Sequence, residues 1–141
     1  MLDSVNHQSS VAVYAQIENQ VQLAIASGEL EPGDKLPSVH EVANKLNANA
    51  GTAAKAYRGL EVTGLIETRR GLGCHVQRGV RGRCRRDCLR RIVGRLYEVA
   101  SEARAVGIPL KTIREIASKS YAHENGIYGE VPKAILKIGR K

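Results

Sequence analysis

The sequence predicts a mainly α-helical fold with one small β unit, and three observations predict it. Apolar residues recur at helical spacing in five separate stretches, one short run of strand-forming residues is folded about paired glycines, and the breaks between stretches carry turn chemistry. The 141 residues suit one medium domain, or a module of roughly 70 residues with a helical appendix.

Residues 1–10 have no apolar periodicity and are expected to be disordered. From Val13 to Ala26, Ile17, Val21, Ala24 and Ile25 form the stripe of an amphipathic helix that stops at Ser27 and Gly28. Residues 29–37 then read as a turn-rich connection, with Pro32, Gly33 and Asp34 supplying the turn. Ser38 and Glu41 match a capping box: the serine side chain and the carboxylate three residues on satisfy free backbone donors at a helix start. Val39, Val42, Ala43 and Leu46 continue that helix for little more than two turns. Asn49 is placed to cap a third helix, carrying Ala53, Ala56, Tyr57 and Leu60 on one face, which Gly64 ends. Two brief helices joined by a few residues are the helix-turn-helix pattern.

Residues 65–76 follow as two short strands around a turn bearing Gly71 and Gly73, with Arg69 and Arg70 at its approach; this hairpin would be a wing on a domain spanning 11–77. Residues 78–87 read as a linker dense in arginine and glycine. Leu89, Ile92, Val93, Leu96, Val99, Ala100 and Ala103 then give the cleanest helical stripe in the chain, broken at Gly107 to Pro109. A last helix near Leu110 to Tyr121 completes a two-helix region over 88–121, and no element is assigned to 122–141.

The net charge of +8 is segregated. Residues 1–77 hold six Lys/Arg against eight Asp/Glu, and residues 78–141 hold sixteen against six. That asymmetry fits a polyanionic partner without separating DNA from RNA or an acidic protein. Three cysteines, an odd number, argue against a disulfide framework and for a reducing compartment. No apolar stretch is long enough to span a membrane and no targeting segment is evident, so a cytoplasmic protein with no membrane partner is expected.

Enzymatic readings find little support. HEVAN (residues 40–44) lacks the final histidine of the metalloprotease signature, the Gly71 to Gly73 spacing lacks the third glycine of a nucleotide loop, and no P-loop or serine elbow is present. No cofactor is expected. Cys84 and Cys88, four apart, could share a helix face, and Cys74 with His75 could complete a zinc site; nearby arginines would lower the thiol pKa of a redox sensor. Against a thiol- or metal-responsive reading stands the lack of any C-x-x-C pair.

Four phrases, SGELEPGDKLPS (27–38), VANKL (42–46), TAAKAYRGLE (52–61) and GLIETRRGLG (64–73), occur in order between Val13 and Val76. In this the chain resembles the winged helix-turn-helix domain of the gluconate-repressor (GntR) family. The resemblance implies a dimeric transcription regulator, usually a repressor, with recognition helices in the major groove and wings reaching toward the minor groove. A region of two helices after the wing is too short for the large effector-binding domains of many such regulators and looks like the compact YtrA-type subgroup, whose C-terminal helices dimerise. The sequence names no small-molecule effector.

Candidate contacts to double-stranded DNA follow. Ser38, Asn49 and Thr52 lie at helix N-termini, where free N–H groups favour an anion, although capping alone explains the first two. Lys55 and Arg58 lie apart from the apolar face of the recognition helix and are expected to project from it. Arg69 and Arg70, with Gly71 and Gly73 permitting a narrow approach, suit a minor groove. Arg78, Arg81, Arg83, Arg85 and Arg86 are candidate phosphate contacts, with a solubilising basic surface as the plain alternative. His40 stands where the family usually has a DNA-contacting arginine, which weakens that expected contact. The departures Gly51, Cys74 and His75 each weaken one expected contact. A winged helix that serves protein partners instead of DNA is the competing reading. For the stripe from Leu89 to Ala103, a homodimer interface competes with packing inside one chain.

Overall fold

The computed structural model describes residues 1–122, and the chain divides between Arg90 and Arg91 into two compact units. The elements run α1 (Val13–Ser27), α2 (Val39–Lys45), α3 (Ala50–Val62), β1 (Ile66–Arg69), β2 (Gly73–Val76), α4 (Arg81–Ala105) and α5 (Leu110–Ala122). Helix α4 begins in the first unit and continues into the second.

The caps form as the residues dictate. Gly28 closes α1 in the left-handed conformation, Ser38 and Glu41 make both bonds of the capping box, and the Asn49 side chain accepts from Gly51 N. Between α2 and α3, Asn47 turns the chain at φ 50°, a conformation asparagine tolerates better than most residues. The predicted stripes are the core. Ile17, Val21 and Ile25 of α1 meet Val42, Ala43 and Leu46 of the α2 region and Ala53, Ala56, Tyr57 and Leu60 of α3, with Leu36, Leu65, Ile66 and Val76 filling the rest. Each fully buried Leu or Ile of this set contributes roughly 1.5–3 kcal/mol relative to exposure. Where α3 lies against α1, Gly59 leaves room for the Glu18 carboxylate, with which a Cβ there would collide.

The wing is antiparallel, with Ile66 opposite Val76, Glu67 opposite His75, Thr68 opposite Cys74 and Arg69 opposite Gly73. It has a third, shorter edge, within the segment expected to be a turn-rich connection. Lys35 bridges His75, Leu36 N donates to Cys74 O at 2.9 Å, and Val76 N donates to Asp34 O at 2.9 Å. These bonds fasten the segment before α2 to the wing.

The expectation of a disordered residue 1–10 segment is corrected. Leu2 is buried in the core cluster and Val5 packs against it. The arm's backbone is held by two glutamines one helical turn apart on α1. Gln16 Nε2 donates to Asn6 O (2.8 Å) and Gln20 Nε2 to Ser4 O (2.7 Å). The linker over 78–87 is corrected too, since α4 starts at Arg81. Val80, Cys84 and Cys88, at i, i+4 and i+8, are all buried, so apolar packing holds as helix a segment whose arginines and glycines suggested a coil.

In the second unit α4 ends where Ile108 N donates to Ala103 O (2.8 Å), and α5 starts after Pro109. Ala103, expected on the exposed stripe, is buried within the chain instead. The other large members of the stripe are open, Leu89 at 61%, Leu96 at 60% and Val99 at 55% exposure. Of the tail reading for 122–141, residues 123–141 lie outside the described residues.

Candidate nucleic-acid interface

The helix pair and the wing are joined by specific bonds. Tyr57 of α3, buried, donates from its hydroxyl to Pro37 O at 2.5 Å, which ties the recognition helix to the entry of α2. Glu61, a turn further on, accepts from Thr68 N of β1 at 3.2 Å and so ties the same helix to the wing. Burial, with smaller contributions from Cys74 and Glu41, pushes the Tyr57 hydroxyl well above the ordinary tyrosine range. The fold therefore favours the neutral phenol, and its contribution to stability is present in full below the unfolded tyrosine pKa of about 10 and lost as pH climbs from there toward the folded value. Tyr57→Phe is expected to cost about 1 kcal/mol near neutral pH by stranding the Pro37 carbonyl. It should also melt with a shallower loss between pH 9 and 11 than the parent, which calorimetry across that range reads directly.

The four cations expected to meet DNA divide into two kinds. Arg58 and Arg70 are exposed and carry no ion pair among the described residues. Lys55, also exposed, is not projecting freely: its ammonium lies 4.0 Å from the centre of the Tyr14 ring on α1, a cation–π contact. Lys55 also attracts Glu18, opposing the burial that raises that carboxyl's pKa. Arg69 is held by Glu67, whose Oε1 lies 2.7 Å from Nε and 2.6 Å from Nη2.

Around the wing turn Leu72 N donates to Arg69 O at 2.8 Å, and Gly71 and Gly73 take φ 77° and 85°, which side chains with a Cβ rarely adopt. Gly73 has a second role. A Cβ there would stand 3.0 Å from Lys35 Cε, so the glycine gives the Lys35 stem room to cross the wing. Lys35 is a cation of this surface that sequence reasoning missed; the only signal was its place just after a turn, with no local sign that residues 34–36 join the sheet.

Ser38 and Asn49 are engaged as caps, and His40, beside the first, is exposed. Thr52 is half-buried in the first turn of α3, where Ala50 and Gly51 are exposed. Of the candidate phosphate contacts, Arg81 pairs with Glu31 at 2.8 Å and Arg83 donates to Thr63 O at 2.6 Å, fastening the start of α4 to the turn after α1 and to the end of α3. Arg78, Arg85 and Arg86 are exposed.

Cys84 and Cys88 are neighbours on α4, and Cys74 lies on the wing. Burial, then the neighbouring Cys88, pushes the Cys84 thiol up, and Arg83 only partly opposes them. The expected lowering by arginine is thus outweighed by desolvation. Cys74 is on the wing, its Sγ 3.4 Å from Thr68 Oγ1. Among the described residues no three His, Cys, Asp or Glu side chains are arranged to hold a metal ion, and no helix is long and apolar enough to cross a membrane.

A capped helix pair, a third helix bracing it and a glycine-turned hairpin tipped with arginine define the winged helix-turn-helix class of regulators. Residues 13–76 match the family model described as bacterial regulatory proteins, gntR family. The chain is 34% identical over 111 residues, 79% of its length and 85% of the relative's, to the HTH-type transcriptional repressor YtrA of Bacillus subtilis strain 168. Among solved structures it is similar to a GntR family transcriptional regulator from Listeria monocytogenes (34% identity, 79% of this chain and 97% of that one, TM-score 0.58). It is also similar to YtrA from Sulfolobus acidocaldarius, a GntR-family transcription factor (36% identity, 70% and 99%, TM-score 0.54). The chain belongs to the GntR family, on its compact YtrA-like side.

Proposed function

We propose that this protein is a sequence-specific double-stranded DNA-binding regulator of transcription that acts as a repressor and occupies a near-palindromic operator as a homodimer. The observation that carries the reading is the pairing of an exposed recognition-helix surface with a glycine-turned wing whose arginines reach solvent, in a chain of this family. Short polar groups and free N–H groups at the starts of α2 and α3 would position the duplex backbone, Arg58 would reach into the major groove, and Arg70 would follow the neighbouring minor groove. Lys55 joins them by leaving Tyr14, at the modest cost of an exposed cation–π contact.

The homodimer is supported by the apolar stripe of α4, which stays open at Leu89, Ile92, Leu96 and Val99 in the single chain. Two-fold symmetry would then place the recognition helices on half-sites about one helical turn, roughly 34 Å, apart. Repression follows from occupying the site that polymerase needs. Selecting bound sequences from a pool of random duplexes tests both parts at once. An enriched inverted repeat with one-turn spacing is expected; no enrichment would overturn DNA recognition, and a single unsymmetrical half-site would overturn the dimer.

A further inference from the structure

Resting on the duplex-binding reading, we infer that Glu67 is a built-in competitor of DNA phosphate: it restrains Arg69 in the free protein and thereby sets the affinity of the wing. Glu67 and Arg69 are two apart on β1, so the pleat puts both side chains on one face of the hairpin. Opposite Arg69 stands Gly73, which has no side chain to hold the guanidinium toward the tip. The guanidinium therefore folds back along its own strand. Its Nε and Nη2 both reach Glu67 Oε1, at 2.7 and 2.6 Å.

Those same N–H groups are the ones a phosphate would take in a side-on, charge-assisted pair, so the carboxylate and the DNA cannot both hold them. Glu67 also precedes Arg69, so the contact draws the charge away from the turn at 70–72 rather than aiming it there. The pair is at the surface, Arg69 47% and Glu67 37% exposed, so exchange with a phosphate is sterically open. Arg70 has no such partner among the described residues. The rest of this face is His75, across from Glu67, and Lys35, across from His75. Glu67 thus sets its carboxylate on the face of the wing that carries Arg69 and Lys35.

The test compares the intact protein with Glu67→Gln, Arg69→Ala and the double variant, titrating a duplex recovered from the selection above at several salt concentrations and following fluorescence anisotropy. Glu67→Gln is expected to bind about two- to fivefold tighter, the range of an exposed ion pair. Its log–log salt slope should stay that of the parent, because Arg69 reaches the same phosphate in both proteins and only the cost of leaving Glu67 is removed. In the Arg69→Ala background the same change should bring no gain. Equal or weaker binding by Glu67→Gln overturns the proposal. So does an undiminished gain without Arg69, which would mean general repulsion of the duplex by a carboxylate. Binding by the parent protein reports separately on the functional reading: a parent that binds no duplex removes that reading and the competitor role with it.

Discussion

Arg69→Ala/Arg70→Ala is expected to bind its operator about 10- to 100-fold more weakly than the parent at moderate salt, the loss of two charge-assisted contacts. The log–log salt slope should fall by just under about two, since each phosphate neutralised contributes about 0.9. Thermal stability should stay within about 0.5 kcal/mol of the parent, because both side chains are exposed and neither supports the core. The two single variants are not expected to match. Arg70 carries no ion pair among the described residues, whereas Arg69 must first leave Glu67, so Arg70→Ala should account for the larger share. Anisotropy titrations beside melting curves separate a binding defect from an unfolded wing. A double variant that binds as well as the parent would move the DNA contact away from the hairpin and favour a winged helix that serves a protein partner.

The parts of this site that the sequence makes legible are those with local causes. A capping box needs only Ser38 and Glu41 three residues apart, Asn49 needs only the helix behind it, and the wing needs only two glycines able to take positive φ between strand formers. The helix stripes are equally local, and Ile17, Val42, Ala53 and Leu60 are buried where their spacing puts them. Tertiary partners decide the rest. Lys35 joins the sheet because β2 lies beside it, forty residues on in the chain. Lys55 has the right helical phase to face outward, yet Tyr14 of α1, which the stripe of that helix leaves out, provides a ring for its ammonium.

Composition misled where it hid a sparse stripe. Arginine and glycine dominate residues 78–87, but three small apolar side chains at four-residue spacing are enough to fix a helix when the core has room for them. Arg81 and Arg83, nominated for phosphate because they are basic, are used at that junction as structural donors. The N-terminal arm shows the converse: Leu2 and Val5 make no periodic pattern, and Gln16 and Gln20, reaching back from α1, hold the arm's backbone. Basic charge alone is therefore a poor guide to candidate DNA contacts, and the exposed guanidinium groups with no ion pair among the described residues, such as Arg58 and Arg70, are the better candidates.

Leu96→Glu is expected to leave the single chain folded and to abolish tight operator binding. Leu96 is 60% exposed, and glutamate is a good helix former, so the unassociated protein should melt within about 0.5 kcal/mol of the parent chain's own intrinsic stability. In the proposed two-fold interface the same change would set two carboxylates facing apolar neighbours. An uncompensated buried charge costs about 3–5 kcal/mol, so the dimer dissociation constant should rise by at least about a hundredfold. Operator affinity would fall with it, because each half-site must then be held alone and the advantage of linked binding is lost. Binding to an isolated half-site should barely change, since Lys55, Arg58, Arg69 and Arg70 all belong to the first unit. Sedimentation velocity over a concentration series reads the first effect, and parallel titrations of full and half operators read the second. A Leu96→Glu protein that sediments as a dimer and binds the full operator like the parent would place the dimer contact on a surface other than the open stripe of α4.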